Sequence, residues 1–228
     1  MEKRSWRAYN FHVDLNELKL QSLGIDQDKF GKICAFVDFG NVNYWYEYDE
    51  RDGEENILDE GSKLVIDIEK LANFVGLFST HRRFYFGVGL HNEKANVITY
   101  KARRFFDKVV TKPIQYIKHY FDMNEEINTT RVIKEDVRGK HIIIPKCNFD
   151  VEICLDAVRL INEYDTFALF SSDSDFASLA HFVRERKKKF ILFSAGYVSR
   201  DLKRRASLNI NSQQIKKSIT FIKQKPRQ

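Results

Sequence analysis

Cysteine, proline and glycine are scarce in this chain, at three, three and ten of 228 residues, and each scarcity excludes something. Cys34, Cys147 and Cys154 are odd in number and form no CxxC pair, which argues against a disulfide framework and a four-cysteine zinc site. Cys34 lies in an apolar run and Cys154 in a helical pattern, settings that suit a small buried hydrophobe. A reducing, cytoplasmic location fits all three. So few prolines and glycines leave no room for a long flexible linker. No run approaches the roughly 18–20 apolar residues needed to span a bilayer, so no membrane partner is expected. The first seven residues are basic but lack the apolar stretch of a secretory signal. His81, His91, His119 and His141 have no metal-ligand spacing and no neighbouring Ser or Cys nucleophile. Gly87-Val88-Gly89 lacks the rest of a dinucleotide fingerprint.

What is present points to a packed domain with an uneven charge distribution. Apolar residues make up 43% of the chain and aromatic residues 14%, enough for a core. The 38 Lys and Arg against 32 Asp and Glu give a net charge of +6. Residues 182–228 hold 14 basic and 2 acidic residues, a balance of +12; the other 24 basic and 30 acidic residues give −6. Length suggests one large domain with extensions: an N-terminal extension over residues 1–30, a main domain over 31–210 and a basic C-terminal tail over 211–228. No internal repeat is visible.

Hydrophobic patterning divides the main domain into alternating strands and helices. Ile33-Cys34-Ala35-Phe36-Val37 is a continuous apolar run that reads as a buried strand entering a loop at Asp38. Residues 43–48 are suited to a following helix, and 49–61 to an exposed acidic loop. Asp67 can cap a helix through Ile68, Leu71, Ala72 and Val75. Residues 83–88 read as a second strand. Over 92–107, Ala95, Ile98, Ala102, Phe105 and Phe106 share a helical face, and Lys112-Pro113 breaks the segment. Residues 114–120 alternate like a strand, and 130–145 like two strands joined at 137–140. A helix over 149–164, a strand over 166–170, a helix over 176–186 and a strand over 190–193 follow, ahead of a basic, partly helical remainder. Such alternation predicts an α/β fold, a mainly parallel sheet flanked by helices.

Open parallel sheets bind ligands at the carboxyl ends of their strands, and aspartates fall on that edge. Asp38 closes the first strand, Asp173 and Asp175 follow the strand over 166–170, and Asp150 opens the helix leading into that strand. Four carboxylates gathered there repel one another unless cations neutralise them. An all-oxygen site suits Mg²⁺ or Mn²⁺, ions able to activate water and stabilise an in-line phosphoryl displacement. Any one of these aspartates is equally open to a capping or turn role, and Ser172 and Ser174 to satisfying turn amides. Asp156 lies about 240° around the helix from Asp150, which leaves it at most a supporting or capping role.

Ala35-Phe36-Val37-Asp38-Phe39-Gly40-Asn41-Val42 resembles the opening motif of NYN domains, a branch of the PIN-like nucleases. Phe170-Ser171-Ser172-Asp173-Ser174-Asp175-Phe176 is similar to that family's SGDSDF signature, with Ser172 where Gly is common. Lys187-Lys188-Lys189-Phe190-Ile191-Leu192-Phe193 resembles its basic turn and strand, and Lys146-Cys147-Asn148-Phe149-Asp150-Val151 its K-x-x-x-D-V segment. The resemblance covers roughly residues 31–210. It implies a Rossmann-like, PIN-like sheet and a metal-dependent ribonuclease, with Asp38, Asp150, Asp173 and Asp175 as the Mg²⁺ or Mn²⁺ ligands and catalytic acids and Asn41 as the polar residue beside them. The family's acidic residue after the last helix is not evident; Asn209 lies near its place.

Basic segments supply the expected hold on RNA. Each Lys or Arg that neutralises a phosphate releases counterions, and Lys187, Lys188, Lys203 and Arg204 stand in two short clusters. Arg103 and Arg104, beside Tyr100 and Phe105, could add phosphate contacts and base stacking; Lys146, Ser171 and Ser172 complete the expected substrate contacts. Tyr44-Trp45-Tyr46 is equally credible as a stacking surface and as helix core. Two other readings remain: a catalytically silent RNA-binding or regulatory module on the same fold, and a DxD phosphomonoesterase, which Asp38-Phe39-Gly40 fits poorly. Residues 1–30 and the loop over 49–61 are open to a cleft cover, a homo-oligomer interface or a regulatory partner.

Overall fold

The computed structural model of the chain describes residues 14–89, 93–121 and 132–224. The first part of the expected extension, His91, Asn92, residues 130–131 of the expected hairpin and the last four residues of the expected tail lie outside them. In chain order the first elements are α1 (Leu15–Ser22), α2 (Gln27–Phe30), β1 (Ile33–Asp38), α3 (Phe39–Val42), β2 (Ser62–Ile66) and α4 (Ile68–Gly76). Next come β3 (His81–Val88), α5 (Glu93–Phe105), β4 (Lys108–Pro113), β5 (Gln115–Tyr120), β6 (Lys134–Asp136), β7 (Gly139–Lys146) and α6 (Asp150–Arg159). The chain continues through β8 (Thr166–Phe170), α7 (Ala177–Glu185), β9 (Lys189–Ser194), α8 (Arg200–Arg205), β10 (Leu208–Asn211), α9 (Lys216–Ile219) and β11 (Thr220–Gln224).

Six of these strands form one parallel sheet in the order β10-β9-β8-β1-β3-β4. The apolar runs of β1, β8 and β9 occupy its centre because they are buried on both faces. Alternation then assigns each side chain a layer. Ala35, Val37, Ala168, Phe170, Ile191 and Phe193 pack with α4 on one face. Cys34, Phe36, Phe167, Leu169, Phe190 and Leu192 pack with α6, α7 and α8 on the other. The α/β class and parallel sheet read from the sequence are what the structure contains.

Departures from the sequence reading have physical causes. Residues 43–48 are turns rather than a helix: Tyr44, Trp45, Glu47 and Asp49 donate their amides three residues back, to Asn41, Val42, Tyr44 and Tyr46. The segment over 108–113 is strand β4, and Pro113 stands at its last position, where the missing N–H does little harm. Strands β5, β7 and β6 form a separate antiparallel sheet in that order. The C-terminal segment, expected as part of a basic tail, folds onto the body. Ile215 and Ile219 are fully buried, β11 pairs antiparallel with β2, and Lys216 reaches Asp49 Oδ2 at 3.1 Å. Phe30, just ahead of β1, is fully buried as well.

Asp156 belongs to this scaffold. Its Oδ2 takes Arg83 Nη1 at 2.6 Å and the Tyr85 hydroxyl at 2.8 Å, and its Oδ1 takes Lys108 Nζ at 3.3 Å. Only 8% of its side chain is exposed. The ion pairs fasten α6 to β3 and β4. Burial pushes this carboxyl up, but the Tyr85 hydroxyl and the Arg83 and Lys108 charges outweigh burial and hold it below the usual range. Asp156→Ala strands Arg83 among apolar neighbours and should cost about 3–5 kcal/mol in urea unfolding. Because the folded-state value is depressed, the wild-type contribution is whole at neutral pH and is lost as pH falls below about 4. The stability gap between wild type and Asp156→Ala should therefore narrow in acid.

Candidate metal centre

Strand order reverses between β1 and β8: β3 and β4 extend the sheet to one side of β1, and β9 and β10 extend it beyond β8. Neighbouring loops part at such a switch point and open a crevice at the carboxyl edge. Parity places Asp38 on the same face as Cys34 and Phe36, the face that α6 covers. Asp150 is the first residue of α6, so it meets this crevice from above. The tight turn after β8 brings Asp173 and Asp175 to the same place.

Asp150, Asp173 and Asp175 each offer a carboxylate oxygen, and these oxygens all lie within 4.8 Å of one another. Asp38, half-buried at the end of β1, adds its charge to theirs. Its Oδ2 accepts the Ser171 hydroxyl at 3.0 Å, and its Oδ1 accepts the Asn41 amide at 3.4 Å. Burial pushes the Asp38 carboxyl up to about 6; these hydrogen bonds pull against it, and the charges of Asp150 and Asp173 push the same way as burial. Asp150 is also raised, first by burial and then by Asp173 and Asp175, against the Asn148 hydrogen bond and Lys112. The capping roles open to these aspartates are partly real: Asp173 Oδ1 accepts the Asp175 amide at 3.0 Å, and Asp38 caps α3. Capping orients the carboxylates without dispersing them.

Around the cluster, side chains tie the loops together. Asn41 Oδ1 accepts Trp45 Nε1 at 2.8 Å and the Ser172 amide at 3.0 Å, which joins the loop after β1 to the turn after β8. Ser171 is fully buried and accepts the Asp173 amide. Ser172, standing where glycine is common, turns its hydroxyl onto the Ala195 backbone, donating to the carbonyl at 2.8 Å and accepting the amide at 2.9 Å. Both hydroxyls, expected to touch substrate, are occupied in holding the turn. Trp45 and Tyr46 are buried and Tyr44 is exposed.

The basic residues divide by sheet edge. Lys146 is exposed at the end of β7, four residues before Asp150. Arg103 lines a groove of about 340 Å³ with Asn96, Tyr100 and Thr111. Lys187 and Lys188 lie instead at the amino ends of the central strands, where the Lys189 amide donates to the Asp165 carbonyl. Lys203 and Arg204 close α8 on that side, since Arg184 Nη1 donates to the carbonyls of Arg204 and Arg205. Arg104, at the last turn of α5, stacks over Phe105. Two residues at the crevice escaped the sequence reading. Asn148 Nδ2 donates to Asp150 Oδ2 at 2.6 Å, and Lys112, which acts electrostatically on Asp150, pairs with Glu152 at 2.8 Å. Lys112 becomes visible only once β4 is known to end there.

The sequence profile of the NYN domain matches residues 32–213. The chain belongs to the NYN domain family. Its α/β sheet is the PIN-like nuclease fold of that family, with an acidic cluster at the carboxyl edge. Among solved structures, a protein of unknown function from Vibrio parahaemolyticus is similar, with a TM-score of 0.57 and 18% identity over 86% of this chain and 99% of that one. That likeness is one of fold. An alanine–glyoxylate aminotransferase from Nostoc sp. aligns at a TM-score of 0.24 and 12% identity over 75% of this chain and 41% of its own, too weak to indicate a shared fold. A search of the curated proteins gave no match. Among the described residues of this NYN domain, no helix is long and apolar enough to cross a membrane.

The tie at Asn41 is open to a direct check. Asn41→Ala leaves the Trp45 indole N–H and the Ser172 amide without their acceptor, and should cost about 1–3 kcal/mol in denaturant unfolding.

Proposed function

We propose that this chain is a metal-dependent ribonuclease that hydrolyses RNA phosphodiester bonds at the carboxyl edge of its sheet. The observation that carries this reading is the convergence of Asp150, Asp173 and Asp175 within 4.8 Å, with the half-buried Asp38 close enough to act on them electrostatically. An all-carboxylate donor set at that spacing fits a hard divalent ion, taking some ligands directly and others through water. Mg²⁺ or Mn²⁺ held there by Asp150, Asp173 and Asp175 supplies water activation and charge neutralisation at the scissile phosphate.

The protein's own groups fix what surrounds that chemistry. Ser171 and the Asn41 amide hold Asp38 so that its charge backs the outer three. Asn148 clamps Asp150, and the tie from Asn41 to Ser172 keeps Asp173 and Asp175 in register with β1. With its oxygen committed, Asn41 keeps Nδ2 as a donor suited to a nonbridging phosphate oxygen. Lys146 and Arg103 are the basic residues suited to the RNA backbone on either side. Hydrolysis then needs no covalent protein intermediate: water adds to phosphorus, one ester oxygen leaves, and a phosphomonoester and a hydroxyl result. A silent RNA-binding module gains nothing from four acids gathered where a phosphate must approach. We further propose that the domain comprises residues 31–210 with flanking segments packed onto it, and that it acts in the cytoplasm.

Labelled RNA incubated with Mn²⁺ should be cut by the wild-type protein and left intact in EDTA. Asp173→Asn retains an oxygen for the Asp175 amide and so preserves the turn, yet it should lower the cleavage rate at least about 100-fold. Equal cleavage by Asp173→Asn would rule the site out.

A further inference from the structure

The edge of the sheet opposite the carboxylates carries a cluster of cations that the fold itself does not neutralise. Arg186, Lys187, Lys188 and Lys189 form the turn between α7 and β9, at the amino ends of the strands. Lys203 and Arg204 join them from α8, brought close by the hydrogen bonds from Arg184 to the Arg204 and Arg205 carbonyls. Among the described residues, none of these six side chains forms an ion pair with a carboxylate, whereas the neighbouring Arg205 pairs with Asp201 at 3.0 Å. The cations are nonetheless placed. Arg186 lies over the Phe182 ring and Lys188 over Tyr164, Lys189 Nζ donates to the Lys29 carbonyl, and Lys187 takes a left-handed φ of 59° that turns the chain sharply. A concavity of about 410 Å³ opens beside them, its lining completed by Lys29, Phe30, Gly31 and two carboxylates, Asp28 and Asp165, so that cations outnumber acids around it.

Distance separates this surface from the carboxylates. The five residues of β8 rise about 16 Å at 3.3 Å each, and the turn holding Lys187 precedes β9 at one end while Asp173 follows β8 at the other. A phosphate at the cleavage site is out of reach of Lys187. Repelling charges fixed on one surface hold counterions, and a chain of phosphates releases them on binding.

The geometry points to a second RNA-binding surface on this amino-terminal edge, which holds the substrate's backbone remote from the bond that is cut. The surface rests on the nuclease reading for its substrate but not for its ability to bind. A nucleic-acid strand carries a phosphate about every 3.4 Å along a helix and about twice that when extended, so an RNA of three nucleotides, with two phosphates between them, cannot occupy both edges.

The test uses the full chain, a 3-nucleotide and a 30-nucleotide RNA, and the variant Arg186→Glu combined with Lys187→Glu. In EDTA, the variant should bind the 30-mer roughly tenfold more weakly, and the dependence of log affinity on log salt should flatten by about 1.4 for two lost phosphate contacts. With Mn²⁺, KM for the 30-mer should rise roughly tenfold at unchanged kcat, while kcat/KM for the 3-mer stays within twofold. A pair of Gln substitutions at the same positions, checked for an unaltered thermal midpoint, should give a smaller shift in the same direction. Unchanged binding of the 30-mer, or equal losses on both RNAs, overturns the proposal, as does binding of anionic lipid vesicles with no RNA effect. Salt-sensitive RNA binding at this edge without cleavage upholds the surface and overturns the nuclease reading; cleavage with no effect of the variants does the reverse.

Discussion

Two hydrogen bonds across the gap between β1 and β8 hold the chemistry of this molecule in place. Ser171 gives its hydroxyl to Asp38, and Asn41 accepts the Ser172 amide. Both join the loops that follow these two neighbouring strands at the switch point, where the Trp45 ring also stacks on Phe170. Without them the acids have reason to separate, because like charges at close range disfavour one another. Ser171 is fully buried, which keeps water from competing for these bonds. The site is thus a strained arrangement of charge mounted on a rigid apolar sheet, and the rigidity comes from sequence runs that carry no chemistry at all.

Much of this was legible in the sequence because burial on both faces leaves a plain mark. The run over 33–37 meets Asp38 with no polar break, and the run over 167–170 is parted from Asp173 only by Ser171 and Ser172, so strand, edge and acid could be read together. Elements at the margins left weaker marks. β4 is half exposed and ends in proline, so its residues read as a helix break, and Lys112 at its carboxyl end went unnoticed. β2, β10 and β11 are short and paired on one side, and their patterns of four or five residues carry little periodic information. Asp156 posed a different difficulty: its helical position excluded it from the acidic cluster, but only the fold could show Arg83 and Lys108 around it.

The charge split along the sequence changes meaning in three dimensions. The acidic loop over 49–61 and the basic C-terminal segment are not separate poles: Asp49 and Lys216 pair, as do Glu54 and Lys217. Those contacts consume part of the apparent basic excess as internal structure. Among the described residues, six cations without a carboxylate partner gather in the turn before β9 and at the end of α8, at the opposite edge of the sheet from the acids. The molecule is therefore polarised along its strands, acidic at one end and basic at the other, rather than from one end of its sequence to the other.

The pairing of β11 with β2 sets the order in which this chain can complete itself. Residues 62–66 and 220–224 meet across more than 150 positions. In the same region the Tyr46 hydroxyl donates to the Ser212 carbonyl and Lys70 to the Thr220 carbonyl. A nascent chain growing from its amino end has β1, β3 and the motif at Asp38 early, but the apolar wall of α4 stays wet until Ile215 and Ile219 arrive. Contacts so distant along the sequence form slowly, and an exposed apolar face is where incomplete chains associate with one another. Completion of this fold waits on a segment that contributes nothing to the carboxylate cluster.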